Sequence, residues 1–427
     1  MNPLTDFSSL PRFADLKPEH VTPAMDQLLA EGRATVAAVL PAGAGWDDFV
    51  APLEDANERI GRAWGQVAHL HAVLDSPALR EVYNANLPKL TQYWTELGQN
   101  QALFEKYKQL RRSGEFAALS PARKKIVENA IRDFRLSGAE LPPESKKRFA
   151  EIQDELSRLG SKFSENLLDA TNAYSLLIEE RSRLAGIPDD VLAAAREAAE
   201  KDGKAGWKFT LHAPSYFPVL QYAEHRALRE TLYRESTTRA SEFGRPEWDN
   251  TPLIARIVEL RREMARLLGY ANFAEVSLVP KMAESPAQVL AFLDDLARRA
   301  RPFAEKDAAE LRAFAKDELH IEELQAWDVA YASEKLRARR YSFSDQEVKQ
   351  YFPEDVAVAG AFRVAEALYQ VKISPAQAPS SMPWPTKPPC IGSWPLPPPE
   401  TRATFPRTGA PLRTRYLGSR FISIRSG

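Results

Sequence analysis

Six histidines, at 20, 69, 71, 212, 225 and 320, are the side chains of this chain best suited to metal or proton chemistry. Peptide hydrolysis by zinc would need two of them in H-E-x-x-H, where i,i+4 spacing on a helix aims both imidazoles at one ion and the intervening Glu activates water. None of the six begins that motif. His69 and His71 are neighbours in sequence, but residues i and i+2 on a helix do not face each other, so a structural role is expected for the pair. His225, within Glu224-His225-Arg226, reads as part of a charged helical face. His212 ends an alternating segment and precedes Ala213-Pro214-Ser215-Tyr216, which suits a residue that caps or packs a turn, or a site residue at a strand end. The single cysteine, Cys390, has no partner motif, and there is no G-x-S-x-G, P-loop or G-x-G-x-x-G in the first 378 residues. No catalytic, cofactor-binding or metal-binding residue can therefore be named.

The elements that would position such groups read as helices almost throughout. From Pro142 to Ala170, apolar residues at Phe149, Ile152, Leu156, Leu159, Phe163, Leu167 and Ala170 fall at spacings of three and four, the mark of one face of a long helix. Ser120-Pro121 opens a helix to Leu136, with Gly138 following. Thr251-Pro252 opens one through Leu268, closed by Gly269. Ser285-Pro286-Ala287-Gln288 has the form of a capping box. In each, the hydroxyl is expected to accept from a free N–H of the first turn, and proline sits where its missing N–H costs little. Pro302 should kink or end the helix that follows. Two short strands are expected, at 174–178 and at 207–211, where Trp207-Lys208-Phe209-Thr210-Leu211 alternates apolar with polar. An Ala-rich helix from Ile187-Pro188 to about Glu200 and a turn at 202–206 lie between them. The fold class is thus mainly α, multi-helix, with a small β element. The expected divisions are an N-terminal helical domain 1–175, a β-containing connection 176–222, a third region 223–378 and a tail 379–427.

The tail differs in kind from what precedes it. Its 49 residues hold eleven Pro, seven Lys or Arg and one acid, Glu400, for a net charge near +6 against −7 for positions 1–378. So abrupt a shift suggests a junction. An irregular, protease-sensitive tail is expected, since proline denies backbone donors to both helix and sheet. Pro395–Arg402 has the look of a proline-rich SH3-type ligand; the competing reading is out-of-frame translation of a GC-rich gene.

Composition excludes several classes. At 44% hydrophobic and 27% charged residues, the chain suits a globular protein. No apolar run approaches the ~20 residues that span a bilayer, and Met1–Asp6 lacks the basic start and apolar core of a secretory signal. Near-neutral charge gives no case for nucleic acid as a partner. One cysteine precludes an internal disulfide and accords with a reducing compartment. Broad apolar surfaces on 251–268 and on 356–369 predict marginal solubility and self-association.

Several blocks resemble the M3 metallopeptidase family, in its oligopeptidase A branch. They are NPLTDFSSLPRFADLKPEHVTPAMDQLL from Asn2, LSPARKKIVENAIRDFRLSGAELP from Leu119, RFAEIQDELSRLGSKFSENLLDATNAY from Arg148, GWKFTLHAPSYFPVLQYAEHRALRETLYRESTTRASEFG from Gly206, WDNTPLIARIVELRREMARLLGYANFAEVSLVPKMAESPAQV from Trp248 and WDVAYASEKLRARRYSFSDQEVKQYFP from Trp327. The likeness is collinear and fades near Pro379. It implies a helical, two-lobed shell around a channel for short peptides, zinc as cofactor, and cytoplasmic peptide degradation. In that family two histidines of H-E-x-x-H and a later glutamate hold the zinc, and these lie beyond the point where the likeness stops. The expectation is an M3-type protein truncated or frame-shifted before its metal site, beginning its catalytic domain at 223–378, with no zinc bound and no activity of its own. The alternative is a non-catalytic helical binding module with a proline-rich ligand tail.

Overall fold

A computed structural model describes residues 2–8, 10–342, 345–374 and 423–426. The order of elements is α1 (Val21–Val39), α2 (Ala51–Val73), α3 (Pro77–Gly98), α4 (Gln101–Arg112), α5 (Gly114–Ala118), α6 (Pro121–Leu136), α7 (Pro143–Ala173), β1 (Leu176–Ile178), α8 (Asp189–Lys201), β2 (Trp207–Phe209), α9 (Ala213–Tyr222), α10 (Arg226–Thr237), α11 (Thr251–Leu267), α12 (Phe273–Leu278), α13 (Pro286–Asp317), α14 (Val329–Tyr341), α15 (Asp345–Lys349), α16 (Glu354–Tyr369), β3 (Val371–Ser374) and β4 (Ser423–Ser426). The protein is mainly α, as its periodicity indicates.

The helix starts follow local chemistry, with one revision. At α6 the Arg123 N–H donates to Ser120 Oγ at 3.3 Å, with Pro121 at the first helical position. At α13 the Gln288 N–H donates to Ser285 Oγ at 3.2 Å, and Gln288 Oε1 reaches back to accept from Glu284 N–H at 2.7 Å. At α11 the expected Thr251 cap is not formed. Thr251 is already helical; its N–H donates to Asp249 Oδ1 (2.8 Å) and its hydroxyl donates to Glu242 (2.9 Å). Asn250, which precedes the helix, is buried, and its side chain serves a tertiary contact instead of a cap. Pro302 does not end α13, which runs on to Asp317. The ladder loses one donor there, but fifteen further residues propagate the helix, each adding a bond of its own.

The chain divides into two compact units, residues 1–170 with 240–302, and residues 171–239 with 303–427. In the first, α1 packs on α2 and α3 over Leu4, Val21, Met25, Leu28, Ile60, Val67, Leu90 and Tyr93. Burial pushes the Tyr93 phenol up to about 12, and its hydroxyl donates to Asn57 Oδ1 at 2.8 Å. A second core gathers Trp46, Phe49, Leu53, Phe104, Tyr107 and Phe134. The returning helix α11 lies on α7 through Phe149, Ile152, Leu260 and Met264. Two fork-to-carboxylate pairs flank that seam: Arg148 to Glu263 at 2.6 and 2.7 Å, and Arg256 to Glu155 at 2.6 and 2.9 Å. The apolar stripe of α7 holds only in part. Leu167 is 39% exposed, while Glu165 and Asn166 beside it are buried. Asn166 donates to Asn250 Oδ1 at 2.9 Å, and Asn250 donates to the Phe163 carbonyl at 3.1 Å.

In the second unit β1 pairs antiparallel with β2, Leu177 opposite Lys208. This strand pair, α8, α9 and α10 enclose Ile178, Leu184, Leu192, Phe209, Val219, Leu228 and Leu232. The turn before β2 depends on Gly206, whose φ of +106° and approach to the Ile178 carbonyl (2.6 Å from where a Cβ would stand) exclude any side chain. The proline-rich stretch expected to be irregular lies outside the described residues, as do Cys390 and Pro395–Arg402. Ser423–Ser426 forms a strand antiparallel to β3, with Ile424 opposite Ile373. Among the described residues no helix is long and apolar enough to cross a membrane.

Candidate functional site

Five of the six histidines fall at four separate kinds of position. His20 Nδ1 accepts from Lys17 N–H at 3.1 Å. His225 does not lie on a charged helical face: it precedes α10, and its Nδ1 accepts from Leu228 N–H at 3.2 Å. An imidazole acceptor here replaces the Ser, Thr or Asp oxygen usual at a helix start. His212 stands before α9, where its carbonyl accepts from Ser215 and Tyr216 N–H, and its side chain makes no capping bond. His69 packs on Phe13 with ring centroids 5.3 Å apart, while His71 stacks flat on Tyr83 at 4.1 Å. The two imidazoles of the 69/71 pair thus go to different partners, as helix geometry requires.

The densest polar cluster of the first unit surrounds His71. Its Nε2 lies 3.7 Å from Asp75 Oδ1 and 3.9 Å from Glu165 Oε1, beyond hydrogen-bond reach of either. Arg80 holds Asp75 and forks onto Asp169 with two bonds of 2.8 Å, which keeps the Asp169 carboxyl below the usual range. Asn84 donates to Glu165 Oε1 at 2.8 Å. These bonds tie α3 to α7, while the buried His71 Nε2 and Asp75 Oδ1 have no hydrogen-bond partner.

The second unit contains a buried ion pair. Asp328 is 0% exposed and Arg229 1%. Arg229 Nη2 donates to Asp328 Oδ1 at 2.7 Å, and Arg226, one turn earlier on α10, donates to the same carboxylate at 2.7–3.1 Å. Arg229 also donates to the Ala223 carbonyl (2.7 Å) and stacks on Tyr331 at 4.1 Å. Burial acts to raise the Asp328 carboxyl, but the bonds from Arg226, Arg229 and Gln325 N–H outweigh it and hold the group below its ordinary value. The cluster locks α10 to the segment that opens α14. A nearby open cleft of about 680 Å³, lined by Gly186, Asp190, Tyr222, Glu334, Lys335 and Lys349, has its charges paired among neighbours, Asp190 with Lys349 and Glu334 with Gln221.

These pairs set a pH dependence. Asp328, Asp169, Glu155 and Glu263 are all held below their unfolded values, chiefly by arginine hydrogen bonds in the last three. A depressed carboxyl stabilises the fold above its unfolded pKa, about 4, and that stabilisation is lost as pH falls through the folded value. Thermal midpoints are expected to be flat in these terms from pH 6 to 8 and to drop below about pH 4.5. A midpoint unchanged between pH 5 and 3 would contradict the assignment.

Among the described residues no group of three or more His, Cys, Asp or Glu is placed to hold a metal ion. Sequence comparison gives the context. The "Neurolysin/Thimet oligopeptidase, N-terminal domain" family matches residues 24–146, and "Peptidase family M3" matches residues 219–385. Two separate stretches of the chain are thus similar to families of M3-type peptidases. It is 48% identical over 374 residues to oligopeptidase A of Salmonella typhimurium, 46% to that of Escherichia coli, and 35% over 388 residues to the probable cytosolic oligopeptidase A of Arabidopsis thaliana. The alignment to the two bacterial relatives takes in 87% of this chain and 55% of theirs; for the plant protein the shares are 88% and 54%. The chain therefore spans about half the length of the curated relatives it matches. Zinc, the metal of M3 peptidases, is not fitted by the residues described: no group of three or more donors among them is placed to hold an ion, and His71 Nε2 stands 3.7 Å from Asp75 and 3.9 Å from Glu165. What sequence reasoning missed was Asp328 and Arg229, whose partnership spans 99 residues and carries no local signal.

Proposed function

We propose that residues 1–378 are the N-terminal portion of an oligopeptidase A-type peptidase, a helical scaffold for intracellular, cytoplasmic hydrolysis of short peptides, and that the 427-residue chain neither retains zinc nor cleaves peptides by itself. The observation that carries this is the collinear 44–48% identity to bacterial oligopeptidases A over 374 residues, in a sequence with no H-E-x-x-H. Without a metal, hydrolysis lacks both the polarising Lewis acid and the activated water. On this reading the composition change after Pro379 is a shift of reading frame, and the other frames of the gene beyond that codon encode the continuation of the family sequence.

The purified chain is expected to contain no stoichiometric zinc by elemental analysis and to leave short peptide substrates intact. One zinc per chain together with chelator-sensitive cleavage would overturn the proposal.

A further inference from the structure

Two buried polar atoms of the first unit face each other without bonding. His71 Nε2 and Asp75 Oδ1 stand 3.7 Å apart, and neither has a hydrogen-bond partner among the described residues. Glu165 Oε1 stands 3.9 Å from the same nitrogen. The side chains of His71, Asp75 and Glu165 are 13%, 12% and 9% exposed, so water reaches them poorly. Burial without a partner is costly for a polar group. Charge is out of balance in the same place. Three carboxylates, Asp75, Glu165 and Asp169, share one guanidinium, Arg80, which bonds Asp75 and forks onto Asp169. Glu165 Oε1 accepts from neutral donors, Asn84 at 2.8 Å and the Ser161 hydroxyl at 3.4 Å.

We propose that His71 is a proton-operated latch: when its ring carries a proton on both nitrogens, Nε2 donates between Asp75 Oδ1 and Glu165 Oε1 and ties the end of α2 to α7. Charge-assisted N–H···O bonds run at about 2.7–2.9 Å, so a closure of roughly 1 Å makes the bond. The bond would satisfy both orphaned atoms and supply the positive charge that the three carboxylates lack. The groups that face the ring come from each element packed on it: Asp75 from the turn after α2, Arg80 and Tyr83 from α3, and Glu165 and Asp169 from α7. Lys162, one turn before Glu165 on α7, acts on Asp169. Tyr83 stacks flat on the imidazole, and burial followed by the charge of Glu165 pushes its phenol up, so it stays neutral. Of these side-chain types, imidazole is the one that changes charge near neutral pH. The latch stabilises the fold while the ring is charged and is lost as pH rises, opposite in sign to the depressed carboxylates. Stability should therefore peak in mildly acid solution, between the two effects.

The test compares melting midpoints of the full 427-residue chain at pH 8 and pH 6. The wild type is expected to gain about 3 °C or more at pH 6, the shift that one hydrogen bond to a charged group makes in a unit of this size. His71→Gln keeps a polar side chain that does not titrate, and should abolish the gain. Asp75→Asn removes one of the two acceptor charges and should reduce it. A second measurement needs no variant. Nuclear magnetic resonance of the chain with isotope-labelled histidine rings, His71 being assigned by its contact with Tyr83, should show that ring taking up its second proton between pH 8 and pH 6 while the fold stays native. No gain in the wild type, an equal gain in His71→Gln, or a His71 ring that keeps a single proton across this range overturns the proposal.

Discussion

Asp328→Ala is expected to destabilise the protein by about 3–5 kcal/mol, the range for breaking a buried pair from one side. The carboxylate is fully buried and accepts from Arg226, Arg229 and the Gln325 N–H. Its removal leaves the Arg229 guanidinium buried, with a backbone carbonyl and the Tyr331 ring for company but no counter-charge. Arg226 is half-exposed and can turn to water, so the cost falls on Arg229. The companion variant separates the two effects. Asp328→Leu with Arg229→Met removes both charges at similar volume and should recover most of the loss, since apolar replacement of a whole buried pair is often neutral. Urea denaturation monitored by circular dichroism gives both values. A loss under about 1 kcal/mol for Asp328→Ala, the level of an exposed pair, would show that this pair is solvated after all.

Phe49→Ala should cost about 3–5 kcal/mol, through lost burial and the cavity that remains. Phe49 is completely buried in the first unit, edge-on to Tyr107 with ring centroids 4.6 Å apart. The surrounding core includes Trp46, Leu53, Phe104 and Phe134, drawn from several helices. A site walled by large side chains from different elements cannot collapse onto a gap, so the cavity term should be near its full size. Phe49→Leu keeps most of the volume and should cost under about 1.5 kcal/mol. Equal losses for the two substitutions, read from denaturant midpoints, would show that this core is loosely packed.

What the sequence by itself determined is local. The start of α6 at Ser120-Pro121, the reciprocal bonds of Ser285 and Gln288 at α13, and α8 rest on interactions within a few residues, and so leave a pattern in a few residues. The absence of H-E-x-x-H and the change in charge and proline after Pro379 are likewise plain in the sequence. The family likeness was legible too, because the matching blocks are long and collinear.

Only the tertiary structure decided the rest. Asn250 was free to cap α11, but burial against α7 commits it to Asn166 and the Phe163 carbonyl, and Asp249 takes over the first turn. Leu167 lies in step with the apolar stripe of α7, yet it stays open while Glu165 and Asn166 are enclosed, since which face is covered depends on what returns to cover it. His225 became a helix cap because α10 begins one residue after it. Asp328 was one acid among many until the fold brought it to Arg229 and shut out water. A hydrogen bond across 99 residues has no period to read, and the energy that makes it matter comes from burial, which exists only once the chain has folded.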